Sequence, residues 1–207
     1  MRTASHHNAL ATVIRGLAWR SSPACLVDRQ GAILFVNNAW DDHAVTNGGA
    51  PSCLGNSLIG TSWIDHIRGE EVRTLYREIL ERVLTNREPR HRPVCQVGES
   101  NTPSTAALVS TQFEPVMQGG DAIAVGIVHS TVRVRPISEV YEIVHRPVDA
   151  YRDSRGELLM CSCCRRVRDP EWTDRWDLVP EILATPPPVS YSLCDLCAEL
   201  HCRHDPF

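Results

Sequence analysis

The sequence predicts an α+β chain: a five-stranded antiparallel sheet with helices on one face, then a small module built around cysteines. Order is the first observation. Two short apolar runs, several short helical stretches and one long amphipathic helix precede three runs whose apolar residues alternate with polar ones. The second observation is a pair of C-x-x-C motifs near the C-terminus, Cys161/Cys164 and Cys194/Cys197. Size is the third: 207 residues, 43% of them hydrophobic, hold one domain of ordinary size and a smaller one.

Taken in order, residues 1–8 read as a frayed start. Leu10, Val13, Ile14, Leu17 and Ala18 then recur at three- and four-residue spacing, a helical stripe ended by Ser21-Ser22-Pro23. That stripe either packs on its own domain or pairs with a second copy. Residues 24–28 and 32–36 read as a hairpin turning at Arg29-Gln30-Gly31, with Asn37 or Asn38 capping the next helix. Residues 50–66 form an irregular stretch. The long helix spans about residues 70–85, with Val72, Leu75, Tyr76, Ile79, Leu80 and Val83 on its apolar face. Strands are expected over 92–97, 106–113 and 122–134.

A connecting helix through Ile137, Val140, Tyr141 and Val144 is expected next, closed by Arg146-Pro147. Residues 156–160 read as a strand entering the first cysteine turn, and residues 175–183 supply a small apolar core. Pro186-Pro187-Pro188 is a stiff extended lead into a strand at 189–191, and the tail after Cys197 is helical for one or two turns. The division is thus 1–22, an amphipathic helix; 23–134, the main domain; 135–155, a connector; and 156–207, the cysteine module.

Two cysteines three positions apart on a tight turn reach one metal ion from the same side, and a second such turn completes an all-sulfur tetrahedron. Cys161, Cys164, Cys194 and Cys197 are therefore the expected ligands. The 29 residues between Cys164 and Cys194 also suit an iron centre of the rubredoxin type, but the glycines that fold places after each second cysteine are Arg165 and Ala198 here. Zinc is favoured over iron. A module of about fifty residues buries too little apolar surface to stand alone, so the metal is read as its folding nucleus. Alternative ligands are Cys163, otherwise a bystander thiol, and His201, Cys202 and His204 at the chain end.

The run P-A-C-L-V-D-R-Q-G-A-I-L-F-V-N-N-A-W resembles the opening of a PAS domain, and I-V-H-S-T-V resembles its closing strand; the likeness covers about residues 23–134. Some bacterial signalling proteins follow a PAS domain with a segment similar to Cys161-Ser162-Cys163-Cys164, Arg168-Asp169, Trp176, Val179-Pro180 and Cys194-Asp195-Leu196-Cys197. This chain carries Tyr191-Ser192 where that pattern has His-Gly. The resemblance implies a sensor domain, dimerisation through the flanking helix over 10–18, and a space between sheet and helices that holds haem, flavin or a small molecule in some members. Haem needs an axial His or Cys there, and among His43, Cys53, His66, His91, Cys95 and His129 the position of His66 suits it best. A light-sensing flavin domain would carry a cysteine in an N-C-R-F-L-Q-like run, which is missing.

Net charge is −4 and every basic residue is arginine, so no field draws in nucleic acid. No run is long and apolar enough for a membrane span or a signal peptide, which predicts a cytoplasmic protein; nine cysteines in a reducing compartment point to metal before disulfides. No phosphate-binding loop, dinucleotide fingerprint, nucleophile elbow or H-E-x-x-H occurs, and no enzyme is predicted. These signals describe a bacterial sensor or adaptor in which a PAS domain receives a ligand or partner. A zinc-ribbon-like module would offer a protein-binding face carrying Arg165, Arg166, Arg168 and Trp172. The alternatives are a haem-binding redox or gas sensor and a nucleic-acid-binding zinc ribbon using Arg165–Arg168.

Overall fold

A left-handed glycine closes the first hairpin. Gly31 has φ 83°, and Asp28 Oδ1 accepts the backbone N–H groups of Gln30 and Ala32, both at 2.9 Å. The turn joins β1 (Ala24–Asp28) to β2 (Ile33–Val36), an antiparallel pair with a register shift at Leu26/Val27. The computed structural model describes residues 2–46, 49–87, 90–97, 105–136, 139, 142–184 and 187–202. Two compact units emerge: Met1–Ile67 with Leu75–Arg92 and Ser110–Ser130, and Arg68–Thr74 with Pro93–Val109 and Thr131–Phe207.

Helix α1 (Arg2–Ala18) starts at Arg2, so within the frayed start expected over 1–8 the described residues 2–8 are helical backbone. Helices α2 (Asn38–Thr46) and α3 (Gly55–Leu58), a 3-10 turn at Trp63–His66 and α4 (Glu70–Asn86) come between β2 and β3 (Arg90–Val97). Strands β4 (Thr105–Gln118) and β5 (Asp121–Pro136) complete the sheet, whose order is β2-β1-β5-β4-β3. β1 lies between β2 and β5 and is antiparallel to both.

Both faces of this sheet are covered, which corrects the expectation of helices on one face. Leu10, Val13, Ile14 and Leu17 of α1 pack against Ala24, Leu26, Val116, Ala124 and Val128. Because side chains alternate along a strand, Cys25, Val27, Val125 and Ile127 point the other way. There Phe113 meets Trp63 and Tyr76 at ring-centroid separations of 6.0 Å each, and Trp63 meets Tyr76 edge-on at 5.2 Å. Double coverage explains why β1 reads as an unbroken apolar run. Of the two readings of this stripe, packing on its own domain is the one these contacts show.

Asn37 fixes the junction of α1, β1 and α2, and is 1% exposed. Its Oδ1 accepts the N–H of Ala24 (2.9 Å) and of Trp40 (3.0 Å), the second being the cap of α2. Its Nδ2 faces the carbonyls of Leu17, Arg20 and Ser22 at 3.2, 3.1 and 2.9 Å.

The connecting helix is corrected where it is described. Residues 142–147 are not helical: Ile143 forms a bridge with Leu178, and Val144 N–H donates to the Leu178 carbonyl at 3.0 Å. Positions 137, 138, 140 and 141 of that expectation lie outside the described residues. The cysteine-bearing sheet contains β6 (Leu159–Cys161), β7 (Val167–Arg168), β8 (Trp176–Asp177) and β9 (Ser190–Ser192), in the order β8-β7-β6-β9. Helices α5 (Pro180–Ala184) and α6 (Asp195–Cys202) flank β9 in sequence. Tyr151, Leu158, Met160, Val167, Val179 and Ile182 form the apolar cluster below the cysteines. Among the described residues no helix is long and apolar enough to cross a membrane.

Candidate metal centre

Parallel pairing of β6 with β9 is what assembles the site. Leu159, Met160 and Cys161 register with Ser190, Tyr191 and Ser192, so both strands deliver their C-terminal ends to one place. This differs from a ribbon of antiparallel hairpins only. Past β6 the chain turns tightly: Arg165 N–H donates to the Cys161 carbonyl (3.1 Å), and Cys161 N–H donates to the Arg166 carbonyl (2.8 Å) as β7 returns. Past β9, Cys194 leads into α6, whose first turn carries Cys197; Ala198 N–H donates to the Cys194 carbonyl at 2.7 Å. Ser162 N–H donates to the Ser192 carbonyl at 2.8 Å and ties the two turns together.

The four sulfurs of Cys161, Cys164, Cys194 and Cys197 lie within 4.8 Å of one another and all four residues are buried. Cys164 Sγ and Cys194 Sγ are 3.6 Å apart. Tetrahedral coordination with zinc–sulfur bonds of about 2.3 Å requires sulfurs about 3.8 Å apart. The donor set therefore fits a single closed, four-coordinate soft ion, and a structural site of this kind keeps no open position for a reacting water.

Electrostatics supports the same reading. Cys161 is driven well below the ordinary thiol range, first by hydrogen bonding from Cys163 and then from Cys164, Cys194 and Cys197. Cys164 and Cys197 are pushed up, chiefly by their interaction with Cys161. One buried thiolate thus raises the cost of the next, and four together call for a cation between them.

Arg166 brings a charge to the sulfurs from the side. Its Nε donates to Cys164 Sγ at 3.3 Å and its Nη2 to Cys194 Sγ at 3.1 Å. Burial opposes the guanidinium charge, yet Cys164 and Cys194 outweigh it and hold the group above its usual range. Below the site, Asp169 is fully buried against Arg146, whose Nη1 lies 2.5 Å from Oδ2; burial works against this carboxylate, and the Glu171 N–H and Arg146 still hold it below its usual range. Tyr151 Oη donates to Asp177 Oδ2 at 2.8 Å, and Arg175 Nε to Oδ1 at 2.9 Å. Asp169, just after β7, is thus tied to Arg146, and Asp177 of β8 to Tyr151.

Several expected site residues fall elsewhere. Cys163 is buried, 9% exposed, in the same cluster as the other four cysteines, but it does not belong to the set of mutually close sulfurs. The side chains of His201 and Cys202, and all of His204, lie outside the described residues. Arg166 does not project as a docking residue; it turns to the sulfurs, and Arg168 Nε donates to the Thr173 carbonyl at 3.1 Å. Arg165 takes a left-handed φ of 60°, and Trp172 is 63% exposed. Sequence reading missed the Arg166 contact, although its place two residues after Cys164 was a usable signal.

In the first unit His66 is exposed, its Nε2 2.7 Å from Thr61 Oγ1, so it stands outside the layer between sheet and helices that a haem ligand would have to face. Trp63, Tyr76 and Phe113 meet one another in that layer. His43 and Cys53 are exposed, and the side chains of His91 and Cys95 lie outside the described residues. His129 Nδ1 sits 3.0 Å from Thr111 Oγ1, and burial, followed by the nearby His43, lowers its pKa to about 4. It is neutral at physiological pH.

No family of known sequences and no curated protein matches this chain. Solved structures do. The PAS domain of Bordetella pertussis BvgS is 16% identical with a TM-score of 0.48, covering 64% of this chain and 91% of that one. A sensory box sensor histidine kinase from Vibrio cholerae is 11% identical, TM-score 0.42, covering 65% and 100%. A LOV protein from Rhodobacter sphaeroides is 11% identical, TM-score 0.44, covering 61% and 68%. These likenesses concern a PAS-like arrangement of helices and antiparallel sheet, and no activity comes with them.

Proposed function

We propose that this chain is a signalling adaptor: its PAS-like part takes in a ligand or partner, and a module folded around one structural zinc ion presents a protein-binding face. The observation that carries the reading is the buried set of four sulfurs within 4.8 Å of one another at the shared end of β6 and β9. Zinc supplies folding energy there and no chemistry; Cys161, Cys164, Cys194 and Cys197 would hold it. In comparable small modules the apparent contribution is about 10–16 kcal/mol. The cluster around the site consists mainly of the cysteines themselves with Leu178, so few other side chains hold the two turns together. Trp172, large and exposed on the module itself, is the residue best suited to anchor a protein partner.

Metal analysis of the purified full chain tests this, paired with an absorption spectrum. The expected result is one equivalent of zinc in a colourless protein. Cys194→Ser should lose the metal and make residues 156–204 protease-sensitive while the first unit stays folded. A coloured protein carrying iron, or a Cys194→Ser variant that keeps both its metal and its protease resistance, would overturn the assignment.

A further inference from the structure

A zinc ion held by four thiolates leaves a centre carrying about −2 in a buried place, and that excess has to be balanced nearby. Among the described residues, Arg166 brings a cationic fork to the sulfurs. Arg166 spans Cys164 and Cys194 with two N–H groups, 3.3 and 3.1 Å from their sulfurs. Its backbone carbonyl also accepts the Cys161 N–H at 2.8 Å, so it touches three of the four cysteines. The sulfurs are treated unequally. Cys161 Sγ takes the Cys194 N–H at 3.5 Å and Cys194 Sγ takes the Cys197 N–H at 3.4 Å, weak backbone donors that recur wherever a chain turns around a metal. The guanidinium is different: it is charged, planar and aimed at one edge of the tetrahedron.

We infer that Arg166 is a positioning residue of the metal centre, which sets the orientation of Cys164 and Cys194, offsets the charge of the four thiolates, and shields those two sulfurs from electrophiles. This rests on the four-thiolate reading above. A hydrogen bond from a cation withdraws electron density from a thiolate sulfur, so it lowers nucleophilicity at that sulfur and raises the energy of sulfur-to-metal charge transfer. The guanidinium contact seen here belongs to one edge of the site, that of Cys164 and Cys194.

The full chain and its Arg166→Met and Arg166→Lys variants, each loaded with zinc or with cobalt(II), test the inference. Wild-type metal content comes first; a wild-type chain that binds no metal removes the four-thiolate reading itself. Given a loaded wild type, Arg166→Met should bind metal about 10–100-fold more weakly in competition with a chelator, as loss of an outer partner of metal ligands commonly does. Its cobalt charge-transfer band should move to longer wavelength. Alkylation by iodoacetamide, mapped by peptide mass, should quicken at Cys164 and Cys194 while Cys161 and Cys197 keep their wild-type rates. Arg166→Lys, which keeps the charge but not the fork, should fall between. An unchanged affinity and band, or faster alkylation spread evenly over all four cysteines, would overturn the inference and leave Arg166 a packing residue. Should Arg166→Met fail to fold, Arg166→Lys decides alone: wild-type affinity and a wild-type alkylation pattern would defeat it.

Discussion

Replacing Asn37 with alanine should destabilise the first unit far more than the loss of one small side chain suggests. The amide is 1% exposed and has five polar neighbours between 2.9 and 3.2 Å, two N–H donors facing its Oδ1 and three carbonyls facing its Nδ2. Two amide hydrogens among three carbonyls make one bond shared, so about four bonds count, each contributing about 1 kcal/mol net. The truncation also leaves the N–H of fully buried Ala24 without its acceptor, and a buried unsatisfied group costs about 1–3 kcal/mol. The expected loss is about 5–7 kcal/mol, comparable with the whole of the 5–15 kcal/mol typical of a domain. Urea denaturation followed by circular dichroism measures it. Asn37→Asp sharpens the test. It keeps the acceptor for Ala24 and Trp40 but turns an anionic oxygen toward the carbonyls of Leu17, Arg20 and Ser22. At neutral pH it should be worse than alanine. Burial and those carbonyls raise the carboxyl pKa in the folded state, so stability returns as pH falls through that raised value and the protonated acid donates again. A loss below about 1 kcal/mol for Asn37→Ala, or an aspartate variant as stable as wild type at neutral pH, would refute the assignment of Asn37 as the junction.

Two further outcomes follow from single residues. Arg165 occupies a left-handed φ of 60°, which costs a side-chain-bearing residue about 1–2 kcal/mol; Arg165→Gly should keep the metal and raise the melting temperature of the cysteine module, and a lowered one would show that the arginine contributes something the backbone does not require. Cys53 is exposed, while Cys25 is fully buried and burial pushes its thiol far above the ordinary range. A thiol reagent should therefore label Cys53 in the native protein and Cys25 only after denaturation; native labelling of Cys25 would contradict the packing of β1.

Much of the site was legible because local chemistry wrote it. Two C-x-x-C turns at this spacing point to one metal site, and the structure brings those four sulfurs together. The hairpin at Gly31 and the long helix after Gly69 were likewise set by turn residues and a 3.6-residue period. His66 stands out in the sequence by position alone, with a partly exposed structural histidine as the other reading; position before a helix does not say which way a ring faces, and the structure turns it to Thr61 and solvent. The connector failed for a related reason. Val144 fits a helical period with Ile137, Val140 and Tyr141, but the backbone of Ile143 and Val144 pairs with Leu178, a residue far along the chain.

By itself the sequence determined what local rules decide: the order of strands and helices, the turns, and the four cysteines able to take a metal. Tertiary structure decided what depends on distant segments meeting. It laid α1 across the second face of the sheet, ran β9 parallel to β6 so that both cysteine turns end at one point, and swung Arg166 onto the sulfurs. The reason is physical. Periodicity and spacing report a residue's own backbone, whereas burial, pairing direction and charge neutralisation belong to pairs of segments, and no single stretch of sequence encodes its partner.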